Sequence, residues 1–524
     1  MSRKQPDGAR GRDEDTGGGS RGGGIDRALL GVGTVVVLGA IMSILDTTIV
    51  NVAINTLARD FHTSLSTIQW VSTGYMLALA TVIPLTGWAA DRFGTKRLFM
   101  TSIGLFLVGS ALSGAAWSAN SLIFFRVLQG IGGGMIMPAG ITMLTQAAGP
   151  SRVGRVMSVI GIPMMLGPVF GPVLGGWLVD DVSWRWIFYV NVPIGAIVLP
   201  LALRVLPRDR PEPSQRLDWV GLAMLSPGLA AFVYGLAETS SSGGLGSARA
   251  PAPMIAGLGL IVAFVVRARR VQDALLDVRL FGQRSVGAAA GTTVLFGMAF
   301  FGAALLLPLY FQVVRGESAL TAGLMIAPQG LGAALMMPFA GRVTDRTGPG
   351  RVVLGGLVVT LLAMLSLTQV GASTSYVLLG VTLFVMGLGL GATMMPAMSA
   401  AYQTLTRSQV ARATSGLSII QRVGGSIGVA LLSVVLTRQF TAHLAPIGGR
   451  TGLAAAQSVP ASARAHVTPI LAAAFGHTFW WALGLVACAL VPAAFLSRQR
   501  PTPPVAPQVP AVATAPDAGV LVEI

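Results

Sequence analysis

The sequence predicts an all-α membrane protein of fourteen transmembrane helices, two six-helix bundles with two further helices inserted between them. Three observations carry this. The 524 residues are 53% hydrophobic and only 11% charged, and the apolar residues fall in many separate runs of 18 or more, which excludes a soluble domain. On fourteen crossings, 27 of the 36 arginines and lysines lie on one side and 7 on the other, with Arg126 and Arg422 inside spans. This is the positive-inside bias, and it places both termini in the cytoplasm. Finally, GWAADRFGTKR at 87–97 recurs as GRVTDRTGPGR at 341–351 with Gly, Asp-Arg, Gly and the last Arg in register, and Pro84 and Pro338 keep the same offset. Internal repeats of this kind build many secondary transporters, whose substrate sites lie between the halves.

In chain order, residues 1–27 form a Gly- and Arg-rich tail that cannot bury a core and is expected to be disordered. The first bundle occupies 28–206. Its opening run, Ala28 to Leu57, would be about 45 Å long as a helix, with Asp46 within roughly 5 Å of its midpoint. A carboxylate at that depth costs at least about 2.5 kcal/mol, so it reads as a proton or ion relay, the alternative being an acid paired for packing. Further spans are expected near 68–90, 97–116, 121–148, 153–179 and 186–206. The linker 207–285 holds the Pro-rich PRDRPEPSQR, two inserted spans near 218–237 and 251–267, and RARRVQDALLDVRLFGQR, whose pattern suits a helix lying on the membrane surface. The second bundle, 286–497, has spans near 286–313, 320–343, 351–370, 375–403, 409–438 and 474–497, with a long outer loop near 439–473. A Pro-rich tail, 498–524, is expected to be disordered in the cytoplasm.

The motifs offer specific chemistry. In GWAADRFGTKR, Gly87 allows close helix approach, Asp91 ends a span, and Gly94 permits a tight turn, while Arg92, Lys96 and Arg97 hold the loop at the cytoplasmic face. Asp91 can pair with an Arg or with a neighbouring helix N-terminus, giving a latch that exists in one conformation and breaks in another; its repeat at Asp345 and Arg346 favours a latch over mere topology. In RVLQGIGGGMIMP, Arg126 is a buried cation and a conditional partner of Asp46, against the alternative of a snorkelling side chain. Gln129 and Gly130 read as lining a substrate cavity, together with Met42, Phe296 and Phe300, although any one of these also suits core packing. A second echo sets GIGGGMIMP at 130–138 against GLGLGATMMP at 387–396. GIPMMLGPVFGPVLGGWL at 161–178, with Gly171, Pro172, Gly175 and Gly176, reads as a bent helix able to gate the outer side, or as a static kink. On a helical wheel Gly39, Met42, Ser43, Ile49, Val50 and Ala53 share the face of Asp46, so its surroundings are expected to be small and apolar, with Thr48, Asn51 and Asn55 opposite and available for helix contacts. Arg422, in QRVGGSIG, stays open between latch, anion contact and packing.

Together these motifs resemble the major facilitator superfamily, and more narrowly its fourteen-span drug:proton antiporter branch. LDTTIVNVAI at 45–54 resembles that branch's first-span motif, GWAADRFGTKR the loop motif after the second span, RVLQGIGGGMIMP the fourth-span motif and GPVLGG at 171–176 the antiporter motif of the fifth. WRWIFYVNVPIG at 184–195 and LLDVRLF at 275–281 are also similar, so the likeness covers roughly 28–500. It implies the major facilitator fold, proton transfer through Asp46 assisted by Arg126, and export favoured by Gly171 and Pro172. Where the branch's first-span motif continues into proline this chain has Asn55, which implies a straighter helix end.

The expected function is therefore proton-coupled antiport, exporting hydrophobic or cationic drugs, antibiotics or secondary metabolites by alternating access. A transporter of one defined metabolite and a non-transporting membrane sensor are the alternatives. With only Lys4 and Lys96 as lysines, the Arg bias points to a GC-rich bacterial genome, hence a multi-pass protein of the bacterial cytoplasmic membrane. An enzyme is disfavoured, because no Walker loop or metal-ligand spacing occurs and His62, His443, His466 and His477 fall in or near outer loops. The expected partners are small substrates, protons and lipid. No cofactor, metal or nucleic acid is expected, and the chain is expected to act as a monomer. The single cysteine, Cys488, precludes an intramolecular disulfide.

Overall fold

A computed structural model describes residues 27–148, 152–207, 216–241, 250–271, 273–448 and 464–496. The expectations for both tails and for most of the Pro-rich linker lie outside these residues. Fourteen long helices are present: α1 (Arg27–Asp60), α2 (Leu65–Phe93), α3 (Thr95–Gly114), α4 (Ala119–Ala148), α5 (Val153–Trp177), α6 (Trp186–Val205), α7 (Trp219–Ser241), α8 (Pro251–Ala268), α9 (Arg284–Val313), α10 (Ala319–Thr347), α11 (Pro349–Leu367), α12 (Tyr376–Tyr402), α13 (Arg407–Gly448) and α14 (Arg464–Ala494). Thirteen are long and apolar enough to cross a membrane on their described residues. α5 is the remaining one. No strand occurs among the described residues. With no proline at residue 55, α1 runs unbroken to Asp60.

The sequence repeat is a repeat of local structure. Ser64 caps α2 by accepting from the Thr67 N–H at 3.2 Å, and Ser318 caps α10 by accepting from the Thr321 N–H at 3.1 Å, the same offset as the loop motif. Both helices end on a glycine with positive φ, Gly94 at 92° and Gly348 at 86°, a conformation that only glycine adopts without strain. Packing repeats too, since α4 lies along α2 and α3 as α12 lies along α10 and α11. The glycines of the second echo make this possible: a Cβ on Gly130 would come within 2.6 Å of the Tyr75 carbonyl oxygen, and Gly391 similarly abuts Ala333 of α10. Such close backbone contact lets helices associate without a large apolar side chain between them.

The inserted helices break this symmetry. α7 packs on α2 and α13, covering one of the two seams between the halves, and Ser226 donates to the Thr81 carbonyl at 2.6 Å. Leu225, Leu229 and Phe264 of the insert close over Ile83 and Ile419.

Two expectations need correction. The segment at 267–284 is not a surface helix: after α8 it turns inward, with Ala274, Leu275, Leu276 and Leu280 buried and only Val278–Gly282 forming a short 3-10 turn. Asp218 holds it there, accepting from Arg267 at 2.8 Å and from the N–H groups of Leu275 and Gly221. A fixed carboxylate that satisfies loop N–H groups competes with helix formation. Burial works against the charge of Asp218, but these hydrogen bonds and the Arg267 guanidinium outweigh it, so its carboxyl lies below the usual carboxylate range. The loop expected at 439–473 is largely helical, α13 continuing to Gly448 and α14 beginning at Arg464, while 449–463 lie outside the described residues. Helix-favouring Ala442, Ala445 and the 472–474 alanines carry both helices past the apolar runs.

Candidate functional site

Asp46 projects from α1 into the interior of the first bundle and is fully buried. Arg126 of α4 donates to its Oδ2 at 2.7 Å, and Gln129, one turn further along α4, donates to its Oδ1 at 2.8 Å. Asn191 at the start of the longer segment of α6 adds a longer contact at 3.4 Å and also donates to Ser110 of α3. Arg126, 1% exposed, spends its other donors on the Gln129 side-chain oxygen at 2.8 Å and the Val71 carbonyl at 3.3 Å. Its guanidinium lies 3.9 Å from the centroid of the Tyr75 ring and 5.6 Å from that of Phe188. Five helices thus converge on one ion pair.

Such a pair is stable while both charges are present, since removing one leaves an uncompensated buried charge. A proton arriving at Asp46 cancels the attraction and frees Arg126, Gln129 and the ring stacked above. The arrangement can therefore convert protonation into a change of helix packing.

The apolar wall expected around Asp46 is half of its environment. Met42, Ile49, Val50 and Ala53 are fully buried on that face, but α4 and α6 bring an arginine and two amides to it. A wheel drawn on α1 alone cannot show what other helices contribute. Asn191 is the residue missed by sequence reasoning; its signal was a lone amide inside the apolar run of WRWIFYVNVPIG.

Of the five residues read as cavity lining, Gln129 belongs to the Asp46 cluster and Gly130 to the α2–α4 contact. Met42 and Phe296 are core residues, 0% and 3% exposed, whereas Phe300 is half-buried and meets Phe301 edge to face at 5.1 Å. Small and apolar types suit a cavity wall and a helix contact equally, so composition could not separate them.

The repeated acids behave alike. Asp91, at the end of α2, pairs with Arg412 near the start of α13 at 3.3 Å. Asp345, at the end of α10, accepts from the Gly154 N–H in the first turn of α5 at 3.1 Å. Each acid crosses to the fifth helix of the other bundle, one to an arginine and one to a helix N-terminus, the two partners foreseen for a latch. A third echo explains the symmetry: SRVGRVMS at 151–158 matches SQVARATS at 408–415 at Ser, Val, Arg and Ser. A Cβ on Gly87 would meet the Arg412 Cα at 3.2 Å, and one on Gly154 the Gly341 carbonyl at 3.1 Å. Arg92 is half-buried, Arg97 and Arg346 are exposed, and Lys96 donates to the Leu203 and Leu206 carbonyls at the end of α6.

In α5, Gly171 and Gly175 press against Thr48 and Ile49 of α1 with no room for a Cβ, while Gly176 faces open space. Thr48 thus serves a helix contact, as the wheel suggested. The side chains of Pro172, Asn51 and Asn55 lie outside the described residues. On its other side α5 meets α10, where Gly161 abuts Met337.

The chain matches the model of the Major Facilitator Superfamily over residues 36–429. It is 44% identical to the "Multidrug resistance protein B homolog" of Mycobacterium tuberculosis over 91% of each chain. It is 35% identical to the "Puromycin resistance protein pur8" of Streptomyces alboniger (79% of this chain, 84% of that one) and 31% identical to the "Multidrug export protein EmrB" of Haemophilus influenzae (78% and 82%). Among solved structures it is similar in fold to the human organic anion transporter MFSD10, with a TM-score of 0.59 at 16% identity, covering 87% of this chain and 99% of that one.

Proposed function

The chain belongs to the major facilitator superfamily, and from that premise we propose that it is a drug-efflux transporter exchanging hydrophobic drugs, antibiotics or secondary metabolites for protons across the bacterial cytoplasmic membrane. The observation that carries this reading is the buried Asp46–Arg126 pair, a titratable charge in mid-span joined to several helices at once. The positive-inside count puts the Asp91 and Asp345 latches at the cytoplasmic ends, so this conformation is closed towards the cytoplasm. In it the Asp46–Arg126 pair is intact.

The cycle follows from these contacts. A proton entering from outside neutralises Asp46 and releases Arg126; α4 and Tyr75 of α2 then relax, and the latches at the far ends of α2 and α10 open. Substrate binds from the cytoplasm, and loss of the proton to the cytoplasm restores the pair and recloses the latches behind the substrate. α5 turns against α1 at Gly171 and Gly175 and against α10 at Gly161, which places it where both halves move. The chain works as a monomer in this scheme, each bundle supplying one wall.

Everted vesicles from an efflux-deficient host, tested with puromycin and a panel of antibiotics and dyes with and without an uncoupler, test the reading. Wild-type protein should accumulate at least one compound in an uncoupler-sensitive way, and Asp46→Asn should lose that accumulation at normal protein levels. Uncoupler-sensitive accumulation that persists in Asp46→Asn would overturn it.

A further inference from the structure

Arg422 is the second arginine within a span, and the Asp46 cluster does not use it. It lies about 22 Å along α13 from the helix start at Arg407, at 1.5 Å per residue, well below the level of the headgroups. Among the described residues it makes no ion pair and no hydrogen bond, and it is half-buried. Its direction is fixed by its neighbours. Ser415, seven residues earlier and about 20° away around the helix, faces Gly87 of α2. Gly425, three residues later and about 60° away on the other side, lies against Phe301 of α9. Arg422 therefore points between α2 of the first bundle and α9 of the second, where the bundles face each other.

The charge balance there is uneven. Asp46 is matched by Arg126 at 2.7 Å, so Arg422 leaves a positive charge uncompensated between the bundles. A cation in such a place is costly, and cations held inside membrane bundles mark substrate or ion pathways. One turn along α13, Gly425 abuts Phe301 of α9, whose ring meets that of Phe300 at 5.1 Å to form an aromatic surface.

We propose that Arg422 is the anion-binding element of the translocation cavity, and that the preferred substrates are aromatic amphiphiles bearing an acidic group, such as a carboxylate. The acid would take charge-assisted hydrogen bonds from the guanidinium while the ring rests on Phe300 and Phe301. This rests on the efflux reading but narrows it, from hydrophobic or cationic compounds to acidic ones.

The test uses the full chain with three matched probes: 2-naphthoate, its neutral amide, and the corresponding naphthylmethylammonium. Binding is measured in detergent and flux in proteoliposomes, for wild type, Arg422→Gln and Arg422→Lys, with thermal melting as a folding control. Wild type should bind naphthoate about ten- to a hundred-fold more tightly than the amide, the span expected for hydrogen bonds to a charged group. Arg422→Gln should lose that preference while retaining the amide, and Arg422→Lys should keep part of it, so the lysine variant decides if the glutamine variant fails to fold. Equal binding of acid and amide by wild type, preference for the ammonium compound, or an acid preference unchanged in Arg422→Gln would overturn the proposal. Arg422-dependent naphthoate binding without flux would uphold it and count against efflux. Flux of any probe without an Arg422-dependent acid preference would do the reverse.

Discussion

The two bundles share a scaffold but not an interior. Both cap their second helix with serine, turn on a positive-φ glycine, pack their fourth helix through glycines and send an aspartate to the other bundle's fifth helix. Yet at the glycine-echo offset, Arg126 and Gln129 of α4 correspond to Leu383 and Met386 of α12, both buried and apolar. One bundle carries a charged, hydrogen-bonded core and the other an apolar one. Alternation between two access states needs the symmetric parts, whereas coupling to protons needs a titratable group in only one half.

The largest expected contrast is in stability. Arg126→Leu strands the Asp46 carboxylate and should cost about 3–5 kcal/mol, much of it recovered by adding Asp46→Asn, because a neutral amide no longer needs the cation. The volume-conserving Met386→Leu in the other bundle should cost less than about 1.5 kcal/mol. Thermal melting of the three variants checks both, and a Met386 effect as large as that of Arg126 would break the comparison.

Glycine contacts should not distinguish the halves. Gly130→Ala and Gly391→Ala each force a methyl against a neighbouring backbone and should cost about 1–3 kcal/mol in the same melting experiment. Similar losses would sharpen the claim of a shared scaffold. A loss confined to one half would weaken it.

The latches should have smaller effects on stability and clearer ones on conformation. Asp91→Asn and Asp345→Asn each remove a partly exposed contact worth at most about 1 kcal/mol, and both should shift the protein towards the state open to the cytoplasm. Spin-label distances across the α2–α13 and α5–α10 seams would report the shift. The insert stiffens only the α2–α13 seam, so that seam should open less in Asp91→Asn than its counterpart in Asp345→Asn.

The smallest effect concerns Asp218, which anchors the insert. Its carboxyl is held below its ordinary value, so its contribution is fully present above the unfolded-state pKa, about 4, and is lost as pH falls through the lower folded value. Hydrogen exchange at Gly221 and Leu275 should accelerate as pH is lowered through that range, relative to the intrinsic rate. Asp218→Asn should show fast exchange throughout.

Much of this was legible in the sequence, for identifiable reasons. Apolar runs and the positive-inside bias give the spans, because each span's hydrophobicity is a local property. The repeats give the halves and the paired acids Asp91 and Asp345, because motif residues keep their spacing. Asp46 with Arg126 could be paired, since a charge in mid-span demands a partner. Asn191 could not be added and Gln129 was given to the cavity, because an amide's partner depends on helices distant in sequence. The inward turn at 267–284 was hidden for a similar reason: its alternating pattern fits a membrane surface, and only contact with Asp218 decides otherwise. Cavity lining was the least legible, since Met42, Gly130 and Phe296 carry no mark that separates a wall from a core.

The central claim is that Asp46 carries the proton exchanged for substrate. Its most direct test is the proton count on substrate binding, read with a pH-sensitive dye in weakly buffered detergent solution. Wild-type protein should release protons when a transported compound is added, and Asp46→Asn should bind the same compound with no release. Proton release of equal size from both proteins would contradict the account.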